Sequence, residues 1–581
     1  MIRIAYADFW YERDGDMMDY DDINHTNTVI PTDTTRDLIP VKEGVGLFHI
    51  NKLKKDFNGI ENANIILTDI ANADIIICSC FGTTKDKFPN KIKIFLGYEN
   101  SCKQYVEKYE HSFSSFAACN ACTSNRYNLG LAFIYYGFPL YKKLQEPRPL
   151  VNKTKFCICI ISNDSESFRK EFIKKLTEST RHRSIDCYGK LFKNKTSDII
   201  DKTSWYNPAI FDIIKEYKFM ICMENSQVEN YWTEKIVNGY IGNTIPIYWG
   251  DPNITNIFNS KSFININTLG MEKGIELIKE LDSNDTMYNE MYNEPAIISN
   301  KYDKYYHEDY YKNYMTNIFQ KVLDQKKFLA EIVKNNFKKR LVINLDRRPD
   351  RYEDFCQSCP FDSSIVERVS GVDGRALPEA PPLESPYKDY NINSGAIGCF
   401  LSHRKTWEII SNEVSSDSDF SIVFEDDITF CDNFQVEIHK LVAQLQTLKK
   451  SETSDDAILC YISGRFFENY VPLRYEEEYS KSTDNLYLRP NNKYLTSRIN
   501  TWKRKVKNAD DVMLTWERCT SCLIMNKRAA EILVRLTERI PDIPIDTFLF
   551  KLNSYTNIIK FYDYFPHLCY SPYGYKSDIR K

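Results

Sequence analysis

The chain has 581 residues, more than one ordinary hydrophobic core fills, and several folding units are expected. Its 76 Lys and Arg against 80 Asp and Glu give a net charge of −4, so neither a basic excess that would favour nucleic acid nor an acidic tail is present. The 17 cysteines are dispersed, and the pairs Cys119–Cys122, Cys356–Cys359 and Cys519–Cys522 lack a second pair at zinc-ribbon spacing, which predicts reduced, mostly buried thiols in a reducing compartment.

The first residues, Met1-Ile-Arg-Ile-Ala-Tyr-Ala-Asp8, alternate as a strand does and show no signal-peptide pattern. The most apolar runs, Ile75 to Cys80 and Leu129 to Tyr141, fall short of the roughly 20 residues that span a bilayer, so a cytoplasmic location is expected. Short apolar runs at Ile2–Ala7, Ile65–Leu67, Asp74–Cys78 and Lys91–Leu96 alternate with helical or loop segments, an α/β signature. Glu99 follows the last of them in Leu96-Gly-Tyr-Glu-Asn100, where it could reach a cleft as a general base or sit as a solvated loop residue. A second set begins at Phe156-Cys-Ile-Cys-Ile-Ile161, continues through a helix over Phe168–Leu176, and returns to strand at Phe219 and Ile245. Two Rossmann-like halves, over 1–150 and 151–315, are expected.

The densest block lies between Phe219 and Gly250. Phe-Met-Ile-Cys-Met223 reads as a strand with Glu224-Asn225-Ser226 at its end, and Thr233-Glu-Lys opens a segment with Ile236, Val237, Tyr240 and Ile241 at helical spacing. Strand, loop and helix start in that order suit a phosphate, because the ligand crevice of a doubly wound sheet lies beyond the carboxyl ends of its strands and helix N-termini there present unpaired N–H groups. With Tyr231-Trp-Thr-Glu-Lys235 and Ile245-Pro-Ile-Tyr-Trp-Gly250, the block resembles the donor motif of glycosyltransferase family 10, the α1,3-fucosyltransferases. The resemblance covers about 1–315, including Ala7-Asp8-Phe9-Trp10 and Lys261-Ser-Phe-Ile-Asn265. It implies a GT-B fold, GDP-fucose as donor, and inverting transfer to a glycan hydroxyl with no metal required. It puts the general base at Glu99 and donor contacts at Arg169 (in Ser162-Asn-x5-Arg), Lys193, Asn225, Tyr231, Glu234 and Lys235. Tyr98 stands where bacterial members often have Gly, a departure next to the proposed base.

A charged stretch over 316–338 carries Ile318, Val322, Phe328, Leu329, Ile332 and Val333 at helical spacing and reads as a connecting helix, with a domain boundary near 335. Strand pattern restarts at Arg340-Leu-Val-Ile-Asn-Leu345. Beyond it come Asp346-Arg-Arg-Pro-Asp-Arg351, Gly371-Val-Asp-Gly374, a Pro/Glu-rich loop from Leu377 to Pro386, Gly395-Ala-Ile-Gly-Cys-Phe-Leu-Ser-His-Arg404, and the strand Phe420–Phe424 ending in Glu425-Asp-Asp427. Carboxylates at a strand end can converge on a hard cation that bridges two phosphates. Together with Thr520–Ala530, Ile543-Pro-Ile-Asp546 and Ser577-Asp-Ile579, these blocks resemble glycosyltransferase family 25 over about 339–581, although Tyr470–Asp511 matches poorly.

That resemblance implies a GT-A-like domain binding Mn²⁺ or Mg²⁺ through Glu425, Asp426 and Asp427 and a UDP-hexose, galactose or glucose. Arg347, Arg348 and Arg351 could approach the nucleotide, His403 would contact donor or acceptor, and Asp546 would orient the acceptor. The structural alternatives are a solvated basic turn, a core histidine and a helix N-cap. The combined reading is a bifunctional glycosyltransferase acting on a glycan or glycoconjugate, with no membrane span. The alternative is a fucosyltransferase carrying a non-catalytic glycan-binding or docking module.

Overall fold

The structure is a computed structural model. It describes residues 1–9, 46–115, 126–377, 394–466, 488–490 and 520–572, except 58, 61–63, 69, 71, 82–83, 89–90, 100–101, 103–104, 107, 164, 181–182, 203–206, 299–302, 432–433, 452–455, 540, 542 and 565–567. Trp10, Cys119, Cys122, Cys519, most of the Leu377–Pro386 loop, Tyr470–Asp511 apart from 488–490, and Ser577–Ile579 lie outside the described residues. The chain divides into two compact units, Met1–Lys321 and Val322–Lys581. Both are mixed α/β, with parallel strand pairing throughout the sheets of the first and in part of the second.

In the first unit, strands β1 (Ile2–Ala7), β2 (Ile65–Leu67), β3 (Ile75–Cys78), β4 (Ile92–Leu96), β5 (His111–Phe113) and β6 (Arg126–Tyr127) form one parallel sheet in the order β2-β1-β3-β4-β5-β6. Strands β7 (Lys155–Ile160), β8 (Ile185–Tyr188), β9 (Tyr217–Met223), β10 (Ile245–Trp249) and β11 (Ile264–Asn265) form a second, in the order β11-β10-β9-β7-β8. Continuous burial along β1, β3 and β10 explains their unbroken apolar runs, since helices and loops cover both faces of a parallel sheet. The order reverses between β1 and β3 in the first sheet and between β7 and β9 in the second. These are the switch points at which such sheets open a crevice beyond their carboxyl ends.

The sequence-predicted helix over Phe168–Leu176 spans Ser167–Ser179 and buries Phe172, Ile173 and Leu176 in the second sheet's core. The predicted connecting helix is longer than its sequence reading, running Glu308–Asn336, and the division between units falls inside it. Its Tyr311 and Tyr314 pack edge-on against Phe113 in the first unit. Leu329, Ala330 and Val333 join the second unit's core, whereas Phe328, which the sequence reading placed in the apolar stripe, is 55% exposed and does not belong to the buried face.

The second unit holds β12 (Arg340–Asn344), β13 (Glu367–Ser370), β14 (Phe420–Glu425), β15 (Thr429–Phe430), β16 (Ile458–Tyr461), β17 (Ser463–Phe466), β18 (Leu488–Pro490), β19 (Cys522–Asn526), β20 (Lys560–Tyr564) and β21 (Cys569–Pro572). A seven-stranded mixed sheet runs β13-β12-β14-β19-β16-β20-β18, and β15-β21-β17 form a small second sheet. Parallel β12 and β14 flank that larger sheet's switch point, with β19 antiparallel on the other side of β14. Among the described residues no helix is long and apolar enough to cross a membrane.

Gly130, at the start of helix Leu131–Tyr136, lies under the Trp232 ring, and a Cβ there would sit 1.9 Å from Trp232 Cη2. Because Trp232 is 1% exposed and wedged between Phe133 and Phe258, it has nowhere to move. Gly130→Ala is therefore expected to destabilise the first unit by about 1–3 kcal/mol, the usual cost of overpacking, read as an earlier urea unfolding transition by tryptophan fluorescence.

Candidate functional site

Two clusters of polar side chains stand at carboxyl ends of strands, one in each unit.

The first is built around Glu224, the residue after β9, whose carboxylate is fully buried. Its Oε1 accepts from Thr233 N at 2.8 Å and Thr233 Oγ1 at 3.0 Å, and its Oε2 accepts from Lys235 Nζ at 3.1 Å. Thr233 holds the N-cap position of helix Glu234–Ile241, and its hydroxyl goes to Glu224 and makes no cap bond, so a single carboxylate closes the turn from strand to helix. Gly250, after β10, makes room for it, since a Cβ there would lie 2.5 Å from Glu224 Cγ. Asp251 then holds the far side of the turn by accepting from Asn230 N at 2.7 Å and Asn253 N at 2.8 Å. Burial pushes the Asp251 carboxyl up to about 6.

Lys235 directs its ammonium to Glu224, to Thr233 Oγ1 at 2.9 Å and to Glu234 at 3.3 Å. Burial works against its charge, but the Glu224 and Glu234 carboxylates outweigh burial and hold its pKa above the ordinary lysine value. The sequence reading gave Lys235 to a diphosphate; here its three donors serve the turn itself. Arg169 is 1% exposed on helix Ser167–Ser179 and donates to Asn163 O at 2.8 Å, while its Nε–H has no partner. Burial lowers its pKa against the pull of Glu224, Glu166 and Tyr231, which puts the guanidinium within electrostatic range of the turn.

Glu99 approaches from the first sheet. The chain leaves β4 at Gly97, whose N–H bonds Phe113 O at 3.0 Å, and Ser79 Oγ bonds Leu96 O at 3.1 Å. The Glu99 carboxyl is half-buried, and burial raises its pKa. Lys235 lowers it, and Glu234 and Glu224 raise it again. Those couplings bring the residue after β4 and the turn after β9 into one electrostatic neighbourhood. Tyr231, 2% exposed, completes it: it packs with Ala5, Ala7, Phe95 and Cys102 of the first core, and its hydroxyl senses both Glu224 and Glu99. Glu234 lies in the first helical turn beside Lys235, and Asn225 Oδ1 accepts from Ser226 Oγ at 3.2 Å. Lys193 is not joined to this cluster by any observed contact; it pairs with Asp201 at 2.9 Å on the surface.

The second cluster stands where β12 and β14 end side by side. Glu425 Oε1 bonds His403 Nε2 at 2.9 Å and Thr520 Oγ1 at 3.1 Å. Asp426 Oδ2 accepts from Asn344 Nδ2 at 2.7 Å. Arg351 Nη1 lies 3.6 Å from Asp426 and 3.5 Å from Asp427. Asp427 Oδ1 is buried without a hydrogen bond, and burial with the Glu425 and Asp426 charges pushes that carboxyl up to about 7. An excess of buried negative charge with an orphaned oxygen fits a hard divalent cation at Asp426 and Asp427. Glu425 is turned toward His403 instead, so the three consecutive acids are shared among different partners.

His403 is 1% exposed on helix Ser394–Glu413. The glycines of its block have a steric reason: Cβ atoms at Gly374 and Gly398 would lie 1.9 Å from Ser394 O and 2.6 Å from Val372 O, so the Gly371–Gly374 turn lies directly on the helix. Ser402 Oγ fixes that contact by accepting from Val372 N at 2.8 Å. Arg347 is held by Asp373 at 2.7 Å, and Arg351, two residues into the next helix, is the arginine that meets the acids. Asp546 lies in the first turn of helix Ile545–Tyr555 and is not its cap, a position held by Pro544. Sequence reasoning left three residues out of the site: Glu224, whose signal was a carboxylate directly after the apolar strand, and Asn344 and Thr520, which carried none.

Comparison with known proteins gives two matches in chain order. Residues 150–332 match glycosyltransferase family 10 (fucosyltransferase) C-term, and residues 337–549 match glycosyltransferase family 25 (LPS biosynthesis protein). The chain thus has a fucosyltransferase-like N-terminal region and a family-25-like C-terminal region. It is 34% identical to the putative fucosyltransferase R654 of Acanthamoeba polyphaga mimivirus over 180 residues, 29% of each chain. It is 41% identical to the alpha-(1,3)-fucosyltransferase FucT of Helicobacter pylori over 81 residues, 14% of this chain and 17% of that one. Farther along it is 34% identical to the probable inactive glycosyltransferase 25 family member 3 of Rattus norvegicus over 129 residues, 20% of this chain and 22% of that one. The chain spans less than a third of the length of these curated relatives.

The Glu224 network makes a measurable prediction. Glu224→Ala leaves the Lys235 ammonium without its main counter-charge and is expected to cost about 3–5 kcal/mol in urea unfolding. In a double-mutant cycle with Lys235→Met the two losses should be less than additive, with a coupling of about 0.5–3 kcal/mol.

Proposed function

We propose that the first unit is an inverting fucosyltransferase of GT-B type, transferring fucose from GDP-fucose to a glycan hydroxyl. The observation that carries this reading is the meeting of two strand ends: Tyr231, in the loop between β9 and Lys235, packs with Phe95 and Cys102 on either side of Glu99 in the chain, which sets Glu99 among the charges of Lys235, Glu234 and Glu224. A displacement at a sugar carbon needs a base on one side and a sink for the departing diphosphate on the other. Glu99 takes the proton of the acceptor hydroxyl as that oxygen attacks the anomeric carbon. The bond to the diphosphate breaks on the opposite face, so the β-linked donor gives an α-fucoside. Arg169, with a donor unused inside the protein, and the N-terminal amides of helix Glu234–Ile241 receive the diphosphate. Asn225, Tyr231 and Glu234 face the sugar and ribose hydroxyls, Lys193 is a further candidate for the nucleotide, and no divalent cation is needed for this chemistry.

Glu99→Gln is expected to lower kcat for transfer from GDP-fucose by about 10²–10⁴-fold with little change in donor KM. Because the Glu99 pKa is raised, the acidic limb of kcat/KM against pH should fall above the ordinary glutamate range, activity being lost as pH drops and the base gains its proton. Undiminished transfer in Glu99→Gln would overturn the assignment.

For the second unit we propose a GT-A-like hexosyltransferase using a UDP-galactose or UDP-glucose donor, which makes the chain bifunctional. Asp426 and Asp427 would hold Mn²⁺ or Mg²⁺ with Glu425 beside them, and such an ion neutralises the leaving diphosphate. Arg351 balances the acids in the resting protein, Asn344 orients Asp426, and Arg347 and Asp546 are candidates for donor and acceptor contacts. The names of the family 25 relatives favour a second reading, a non-catalytic glycan-binding or docking module. Hydrolysis of UDP-hexoses with and without chelator separates the two: chelator-sensitive turnover that disappears in Asp427→Ala supports transfer, and no turnover with any UDP-hexose supports the module.

A further inference from the structure

The helix Ser394–Glu413 brings two soft ligands to the strand end that carries the acids. Cys399 and His403 are four residues apart and therefore share one helix face. The sulfur of Cys399, a ring nitrogen of His403 and a carboxylate oxygen of Glu425 all lie within 4.8 Å of one another. Four-coordinate zinc, with bonds of about 2.0–2.3 Å, places its ligand atoms roughly 3.3–3.8 Å apart, so modest side-chain rotation would converge all three. His403 is 1% exposed and its Nδ1 has no hydrogen-bond partner, whereas a histidine kept only for packing normally has both nitrogens satisfied. Cys399 is half-buried, which leaves a route from solvent.

We propose that Cys399, His403 and Glu425 form a binding site for a thiophilic divalent cation of the zinc class, separate in chemistry from the hard-cation position at Asp426 and Asp427. Thiolate and imidazole select zinc-like ions, whereas manganese and magnesium prefer all-oxygen surroundings. On binding, the Cys399 thiol releases its proton to solvent as the sulfur–metal bond forms, and the ion takes the place of the proton between His403 Nε2 and Glu425 Oε1, that proton passing to the unpartnered Nδ1 so that the imidazole stays neutral. Thr520, donating to the same Glu425 Oε1 at 3.1 Å, helps to orient the carboxylate. The fourth position stays open to water.

The test uses the full chain, stripped with a chelator, kept reduced by a phosphine and titrated with Co²⁺ as a spectroscopic substitute for zinc. It reads metal binding alone, so its outcome is distinguishable from success or failure of either proposed transfer reaction. The expected result is one equivalent of Co²⁺ with a thiolate-to-metal charge-transfer band and the intense visible bands of four-coordinate cobalt, displaced by equimolar Zn²⁺. Cys399→Ser should abolish the charge-transfer band, His403→Gln should weaken binding at least tenfold, and Cys356→Ser should leave the spectrum unchanged. Absence of the band in the unsubstituted chain, or a band of full intensity in Cys399→Ser, would overturn the proposal.

Discussion

The burial of one carboxylate organises the first unit. Removing Glu224 from water costs several kcal/mol unless every lone pair is answered, and Thr233 and Lys235 answer them together. Each partner does a second task. Thr233 starts the helix, and Lys235 gathers Glu234 into the same network. The loop pulled tight between them, Asn225 to Trp232, then has its hydrophobic end fixed elsewhere: Tyr231 enters the core of the first sheet, and Trp232 covers Gly130. The bonds at the end of β9 thereby hold one of the ties between the two parallel sheets of the unit, beside that of Tyr136 Oη to Asn238 Oδ1. Glu99 is brought near Lys235 by that tie and not by any direct bond.

The second unit solves a different problem. Only Glu425 of the three consecutive acids lies on β14, and Asp426 and Asp427 fall in the turn that follows, so the three carboxylates are not held to one direction. Glu425 accordingly goes to the helix that carries His403, and Asp426 goes to Asn344 at the end of the neighbouring strand. Asp427, past the strand, keeps a buried oxygen unanswered. The cluster therefore offers two chemically distinct edges: a soft one lined by sulfur and imidazole, and a hard one lined by carboxylates and Arg351.

Much of this could be read from the amino-acid order, and the exceptions have physical causes. Strands such as Ile75–Cys78 and Tyr217–Met223 are legible because parallel sheets covered on both faces need uninterrupted apolar runs. β5 and β6, three and two residues long and containing Ser112 and Arg126, carry no such pattern; β5 forms on the edge that β4 offers and β6 on the edge that β5 offers. Among the three arginines of Asp346–Arg351, only helix phase decides which turns inward. The helix begins at Pro349, so Arg351 lies on it and faces the acids, while Arg347 stays outside with Asp373. Glu224 was visible as a strand-end acid, yet its role depends on Thr233, past the loop that follows β9, and on Gly250, past the next strand, and both meet it only in the fold.

The charge balance at the first cluster constrains how any anion is received there. Lys235 is matched by Glu224 and Glu234, so its positive charge is already neutralised inside the protein. On the proposed reading, a diphosphate would meet donors on Arg169, whose Nε–H lacks a partner, and on the first amides of helix Glu234–Ile241, which no carbonyl of their own helix can satisfy. For Lys235 to help, its ammonium must leave a fully buried carboxylate, and Glu224 would then rely on Thr233 alone. Under the proposed transfer, that opposing cost would suit Lys235 to responding late, as negative charge grows on a departing group, better than to binding a ground-state ligand.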